Sequence, residues 1–193
     1  MMHQFFKNKR DGFTLVETLV AISIFTMSIL ALFSVLAKGI SNTNYAKTKI
    51  IASYLGQEGI EYIRNMRDTF VLYNPSSSQA GWNDFNTKLA NGSCQAANGC
   101  YFNADNLDYG DTTQPMIDIT LTACGASCPP LSFDSSTGKY GYTGPDSDFV
   151  RKIQITQVGS PVNEVKVFST IYWTQGSGNY SMVFSESLFN WME

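Results

Sequence analysis

One histidine, His3, serves the whole chain of 193 residues. If the first dozen residues are removed, no imidazole remains. Ser-His-Asp catalysis, Cys-His catalysis and histidine metal sites are then excluded together. Neither a G-x-S-x-G elbow nor a phosphate-binding G-x-x-x-x-G-K-[ST] loop occurs. Basic charge is also short. Thirteen Lys and Arg stand against 16 Asp and Glu, for a net charge of −3 and a pI near 5.1. No basic patch of the kind that reads nucleic acid stands out. Proline is missing before Pro75 and cysteine before Cys94, and no charged residue falls between Thr18 and Ala37.

That last gap is the strongest positive signal. Most positions from Thr18 to Ala37 are Leu, Val, Ile, Ala, Phe or Met, and about 20 such residues span a bilayer as a helix. Lys7, Lys9 and Arg10 precede the run, so the positive-inside rule places the N-terminus in the cytoplasm and the rest of the chain outside. The four cysteines, Cys94, Cys100, Cys124 and Cys128, all lie beyond the apolar run in a stretch rich in Gly, Ser, Asn and Thr. An even count in an exported domain reads as disulfides. Four cysteines allow three connectivities, of which nearest-neighbour pairing (Cys94 with Cys100, Cys124 with Cys128) is expected. Zinc is the competing reading, though C-x5-C and C-x3-C are not the usual knuckle spacings.

The segment AKTKIIASYLGQEGIEYIRNMRD continues the helical pattern. Ile51, Leu55, Tyr62 and Met66 fall on one side, and charged residues fill the others. Gly39, Gly56 and Gly59 weaken it, each by up to about 1 kcal/mol relative to Ala. Unbroken from Phe13 to Asp68, such a helix would run roughly 84 Å. Its outer half needs a surface to pack on. Residues 74–115 read as loop, dominated by turn formers. Strand patterns follow at Met116–Ala123, Phe149–Val158, Glu164–Thr174 and Tyr180–Trp191, with QGSGN as a hairpin signal before the last. Helix first and strands later give an α+β class, with the last three strands as an antiparallel meander covered by the helix. The expected organisation is residues 1–12 as leader, 13–37 as apolar helix, 38–72 as its amphipathic continuation and 73–193 as a globular domain.

Two residues at the N-terminus need explaining. Glu17 interrupts the grease, and Gly12 stands where charge gives way to it. An ordinary signal peptide, cut near Val35-Leu36-Ala37, is one account, but it leaves Glu17 without a purpose. A cut after Gly12 supplies one. Phe13 would then carry a new α-amine at the start of the helix, with Glu17 in the first turn, where the helix dipole favours a carboxylate. Pairing with an amine of its own or a neighbouring chain offsets the expense of an acid in lipid.

The stretch GFTLVETLVAISIF resembles the N-terminus of type IV prepilins and type II secretion pseudopilins: a short basic leader ending in Gly, then Phe, then an apolar helix with Glu as its fifth residue. The last strands, including VFSTIYWTQGSGNYSMVFSESLFNW, are similar to those of PilV-type minor pilins. The resemblance implies that a prepilin peptidase cuts between Gly12 and Phe13 and methylates Phe13. The subunit then waits in the inner membrane, and an inner-membrane assembly platform moves it into a fibre of other pilin subunits, extracellular or periplasmic. Glu17 would serve assembly. The apolar run has no proline and no cysteine follows Cys128, departures from many major pilins that favour a minor subunit or pseudopilin. No enzymatic activity is expected, and no cofactor.

Alternatives stay open at this level. A tip adhesin, or a ligand- or DNA-binding module on the same anchor, would use residues 74–148, with nucleic acid relevant to a DNA-uptake pilus. Trp82, Phe85, Tyr101 and Phe102 would be either its binding surface or the core of a small subdomain. Asp105, Asp108 and Asp111, and separately Asp146 with Asp148, offer hard oxygen donors suited to Ca2+ without the EF-hand spacing. Solvated turn residues are the plainer reading.

Overall fold

The computed structural model describes residues 12–103 and 119–191. The chain divides into two units, Met1–Ala46 and Lys47–Glu193. One helix, α1 (Leu15–Leu72), contributes to both.

In the first unit, α1 is exposed throughout, with large apolar side chains from Leu15 to Ile40 facing outward. A window of this helix reaches a mean hydropathy of 2.5, long and apolar enough to cross a membrane. Its few hydroxyls are satisfied within the helix. Thr18 donates to Leu15 O at 2.9 Å, Ser23 to Leu19 O at 2.8 Å, Thr26 to Ser23 O at 3.0 Å and Ser28 to Ile24 O at 2.8 Å. Back-bonding of this kind lets Ser and Thr sit in a non-aqueous segment without an unpaired donor.

In the second unit, the rest of α1 packs on an antiparallel sheet. The sheet comprises β1 (Cys100–Phe102), β2 (Leu121–Ala123), β3 (Pro130–Asp134), β4 (Lys139–Gly141), β5 (Asp146–Val158), β6 (Glu164–Gln175) and β7 (Gly178–Phe189). Strand β5 is central. It pairs with β6 along ten positions, from Phe149↔Trp173 to Val158↔Glu164, and its other edge takes β1 at Ile153 and β3 at Val150. Strand β6 pairs with β7 from Glu164↔Phe189 to Gln175↔Gly178. This is the expected meander, and the architecture is α+β: a long N-terminal helix packed against a C-terminal antiparallel sheet, an arrangement like that of type IV pilins.

The buried face of α1 is shifted from the expected one. Ala52, Leu55, Gly56, Gly59, Ile60, Ile63, Met66 and Val71 are buried, with Arg67 among them, whereas Ile51 and Tyr62 are half-buried flanks. The reason is the glycines. Reading them as weak points overlooked that a Cβ at Gly56 would come within 2.4 Å of the Phe184 ring. One at Gly59 would come within 2.5 Å of Ser169 Oγ and 3.1 Å of Ile153. Small residues here let the helix backbone approach β5, β6 and β7 closely.

The loop reading of residues 74–115 is corrected. A second helix, α2 (Ser78–Asn91), occupies its first part, and β1 lies further on. Ser77 caps α2, its hydroxyl accepting from Ala80 N at 3.1 Å. Trp82, Phe85 and Leu89 point inward at helical spacing and are fully buried. The aromatic-surface reading falls with it: Trp82, Phe85 and Phe102 are core, and Tyr101 is half-buried. Trp82 donates its indole N–H to Val162 O at 2.6 Å, tying α2 to the β5–β6 turn. Of the expected strand at Met116–Ala123, only Leu121–Ala123 is a strand among the described residues. Strands β1, β3 and β4 were not anticipated. Three of the short strands have three residues each, too few to show alternation, and β3 starts on a proline and pairs with β5 through a register shift.

The cysteines bond as Cys94–Cys100 and Cys124–Cys128, and none is free, so the zinc alternative falls. Both bridges sit where β1 meets β2. Cys100 is in register with Ala123, and Cys124 N donates to Gly99 O at 3.0 Å.

Candidate functional site

The site predicted from sequence lies at the start of α1. Gly12, Phe13 and Thr14 precede the helix, and Phe13 is 78% exposed. Among the described residues, a Cβ at Gly12 would meet no heavy atom within 4 Å, so their packing makes no demand for glycine there. Thr14 caps the helix. Its Oγ1 accepts from Glu17 N at 3.3 Å, and its carbonyl accepts from Thr18 N at 3.2 Å. The hydroxyl also faces Glu17 Oε2 at 3.5 Å, a long contact. Thr14-Leu15-Val16-Glu17 is thus the T-x-x-E pattern of a capping box, with Glu17 in the first turn. There the carboxylate meets the positive end of the helix dipole. The spacing of this cap is visible in the sequence. Glu17 is exposed, as are all its neighbours in the helix. The leader charges Lys7, Lys9 and Arg10 lie outside the described residues.

Elsewhere, the structure gathers charges for packing. Arg151, only 4% exposed, donates to Glu58 at 2.8 Å and lies over the Phe102 ring at 4.8 Å. Arg64 bridges α1 to β7, with its guanidinium 3.0 and 2.5 Å from the two Glu186 oxygens. The hydrogen bond to Glu186 is the main reason that Arg64 is held above its ordinary pKa. Asp134 is held at about 2, first by the Ser136 hydroxyl and then by that of Thr137. The Tyr140 phenol is pushed up, by burial foremost and by Asp148. Asp146 and Asp148 lie on β5. Asp105, Asp108 and Asp111 are outside the described residues. Among the described residues, no group of three or more His, Cys, Asp or Glu side chains gathers to hold a metal.

The helix-on-sheet fold and the capped, apolar, acid-bearing start of α1 suit one class, a membrane-anchored precursor with a pilin-like arrangement. Comparison with protein families makes the class more definite. Residues 7–33 match the prokaryotic N-terminal methylation motif. The chain thus carries the signature of a type IV pilin-like precursor, of the kind a prepilin peptidase processes and that assembles with other pilin subunits. The signature points to a structural subunit rather than an enzyme. Comparison with curated proteins and with solved structures gives no match.

Proposed function

We propose that this chain is a fibre subunit, a minor pilin or pseudopilin, cut between Gly12 and Phe13 and methylated on the new Phe13 amine. The observation that carries the reading is the methylation motif at residues 7–33, which runs into a helix whose apolar surface is bare among the described residues. Monomeric soluble proteins rarely leave so large a contiguous apolar surface bare. Before assembly, lipid covers it, with the N-terminus in the cytoplasm by the rule that basic flanks stay inside. After assembly, the helices of other subunits cover it, with an inner-membrane platform driving the exchange. Glu17 is the register pin, its carboxylate meeting the Phe13 amine of its own or a neighbouring chain. The helix has no proline before Pro75, which supports a minor subunit or pseudopilin over the main fibre subunit.

Gly12→Asp tests the processing step. Because none of the described residues packs against Gly12, the substitution leaves the described fold intact, and a defect reports on the peptidase. The expected result is full-length precursor in the membrane, with a mass that retains residues 1–12. Mature protein from this variant would overturn the processing claim.

A further inference from the structure

A groove of about 1080 Å³ runs between α1 and the β3–β4 hairpin. It belongs wholly to the second unit and plays no part in the assembly reading. Its helix wall carries Tyr54, Glu58 and Tyr62, one turn apart on the same ridge. Phe133 and Tyr140 form the facing wall, and Arg151 the floor. Tyr54 is 69% exposed and Phe133 38% exposed, so each wall presents an open ring face.

Two of the other lining residues are held in place. Tyr140 is fixed between Phe133, at 4.9 Å between ring centres, and Phe149, at 5.7 Å. Arg151 is pinned by Glu58 and by the Phe102 ring. A site whose walls are already ordered loses little freedom when a ligand enters.

The charges decide the ligand. Among the described residues that line the groove, Glu58 and Asp134 are acidic and Lys139 and Arg151 basic, with no other charged residue beside them. The sum is zero, so neither an anion nor a cation is favoured by net charge. A purely apolar ligand would desolvate these groups and the Ser135 and Thr137 hydroxyls without replacing their hydrogen bonds. A peptide strand would want a free sheet edge to pair with, and the strand nearest, β4, has three residues. A neutral, hydroxyl-rich chain meets every condition. Its C–H faces stack on the aromatic rings, and its hydroxyls both donate to carboxylates and accept from Lys139. We propose that this groove binds a neutral oligosaccharide.

The test uses the full-length chain in detergent micelles, titrated with maltotetraose, cellotetraose and tetra-N-acetylchitotetraose. Isothermal calorimetry gives the affinity and amide chemical shifts give the location. The expected result is saturable binding of at least one probe, with shifts confined to α1 near Tyr54–Tyr62 and to the β3–β4 hairpin. Tyr54→Ala is expected to weaken it by about tenfold, the loss typical of an aromatic anchor. Tyr54→Phe, which keeps the ring, should retain it. Tyr54 is exposed, so these variants keep the fold, and Phe133→Ala repeats the test from the other wall. Absence of saturable binding for all three sugars overturns the proposal, as does binding that ignores both alanine substitutions. Preferential binding of a charged peptide at the same residues assigns the groove to a protein partner and overturns it equally. Processing is read at Gly12 and sugar binding at Tyr54, so either can fail without the other.

Discussion

At the scale of single residues, position decides meaning. Glu17 looks like an error in a membrane run, yet it sits in the first turn of α1, capped by Thr14. The cap and the dipole stabilise the carboxylate where it stands, and pairing across chains would add to that. Glu17→Ala should therefore still be cut and methylated, but fibre incorporation should fall by about tenfold or more, as a charge-assisted bond of about 1.5–3 kcal/mol implies. Immunoblots of sheared fibres against membranes check this, and wild-type incorporation would sink the pairing claim.

Glycines make the same point in reverse. Gly39 and Gly81 both lie in helices, and propensity alone predicts that Ala would stabilise either by about 1 kcal/mol. A Cβ at Gly39 meets nothing within 4 Å, whereas at Gly81 it would stand 2.1 Å from the Phe70 carbonyl oxygen. Backbone cannot swing away as a side chain can, so Gly81→Ala should lower stability by about 1–3 kcal/mol in spite of its better propensity. Thermal unfolding followed by circular dichroism separates the two substitutions. Nothing in the sequence distinguishes these glycines, because the atom that matters at Gly81 belongs to a residue eleven positions earlier.

Among the elements, length governed what could be read. The long strands β5, β6 and β7 show β-branched and aromatic runs, and their order followed from the hairpin signals. The short strands β1 and β2 owe their existence to pairing and to the bridges beside them, and β4 to its pairing with β3, none of which local pattern encodes. Helix α2 went unread because Gly, Asn, Asp and Ser dominate SQAGWNDFNTKLAN. Its real signals were Ser77 as cap and Trp82, Phe85 and Leu89 on one face, weak individually but consistent together. In α1, the apolar stripe was found but rotated, since Gly56 and Gly59 at its centre carry no hydrophobic side chain to mark it.

The disulfides are the element-scale clamp on this turn-rich region. Cys94–Cys100 closes a loop with a sequence separation of six and Cys124–Cys128 one of four. Loop-closure entropy for rings this small assigns each about 2 kcal/mol. Replacing Cys94 and Cys100 together by Ser should lower stability by about that amount in urea unfolding. An unchanged midpoint would mean that the strand pairing of β1 holds the region without the bridge.

For the whole molecule, division of labour follows from where the apolar surface goes. In the second unit, α1 spends its apolar face on the sheet, with Ala52, Ile63 and Met66 fully buried. In the first unit, the same helix buries nothing, and Phe13, Leu30 and Phe33 stay bare. Residues 7–33, which match the prokaryotic N-terminal methylation motif, overlap that bare surface. The methylation motif at residues 7–33 was legible because it is a local pattern of the sequence. The groove beside Tyr54 was not, because its walls come from α1, a hairpin and β5, brought together only by the fold.

The most direct test of this account is the mass of the mature N-terminus, measured on protein from membranes and from sheared surface fibres. The account predicts a chain beginning at Phe13 with a methylated amine. A chain beginning at Lys38 would contradict it, making the apolar run an ordinary signal peptide and leaving Glu17 without a role.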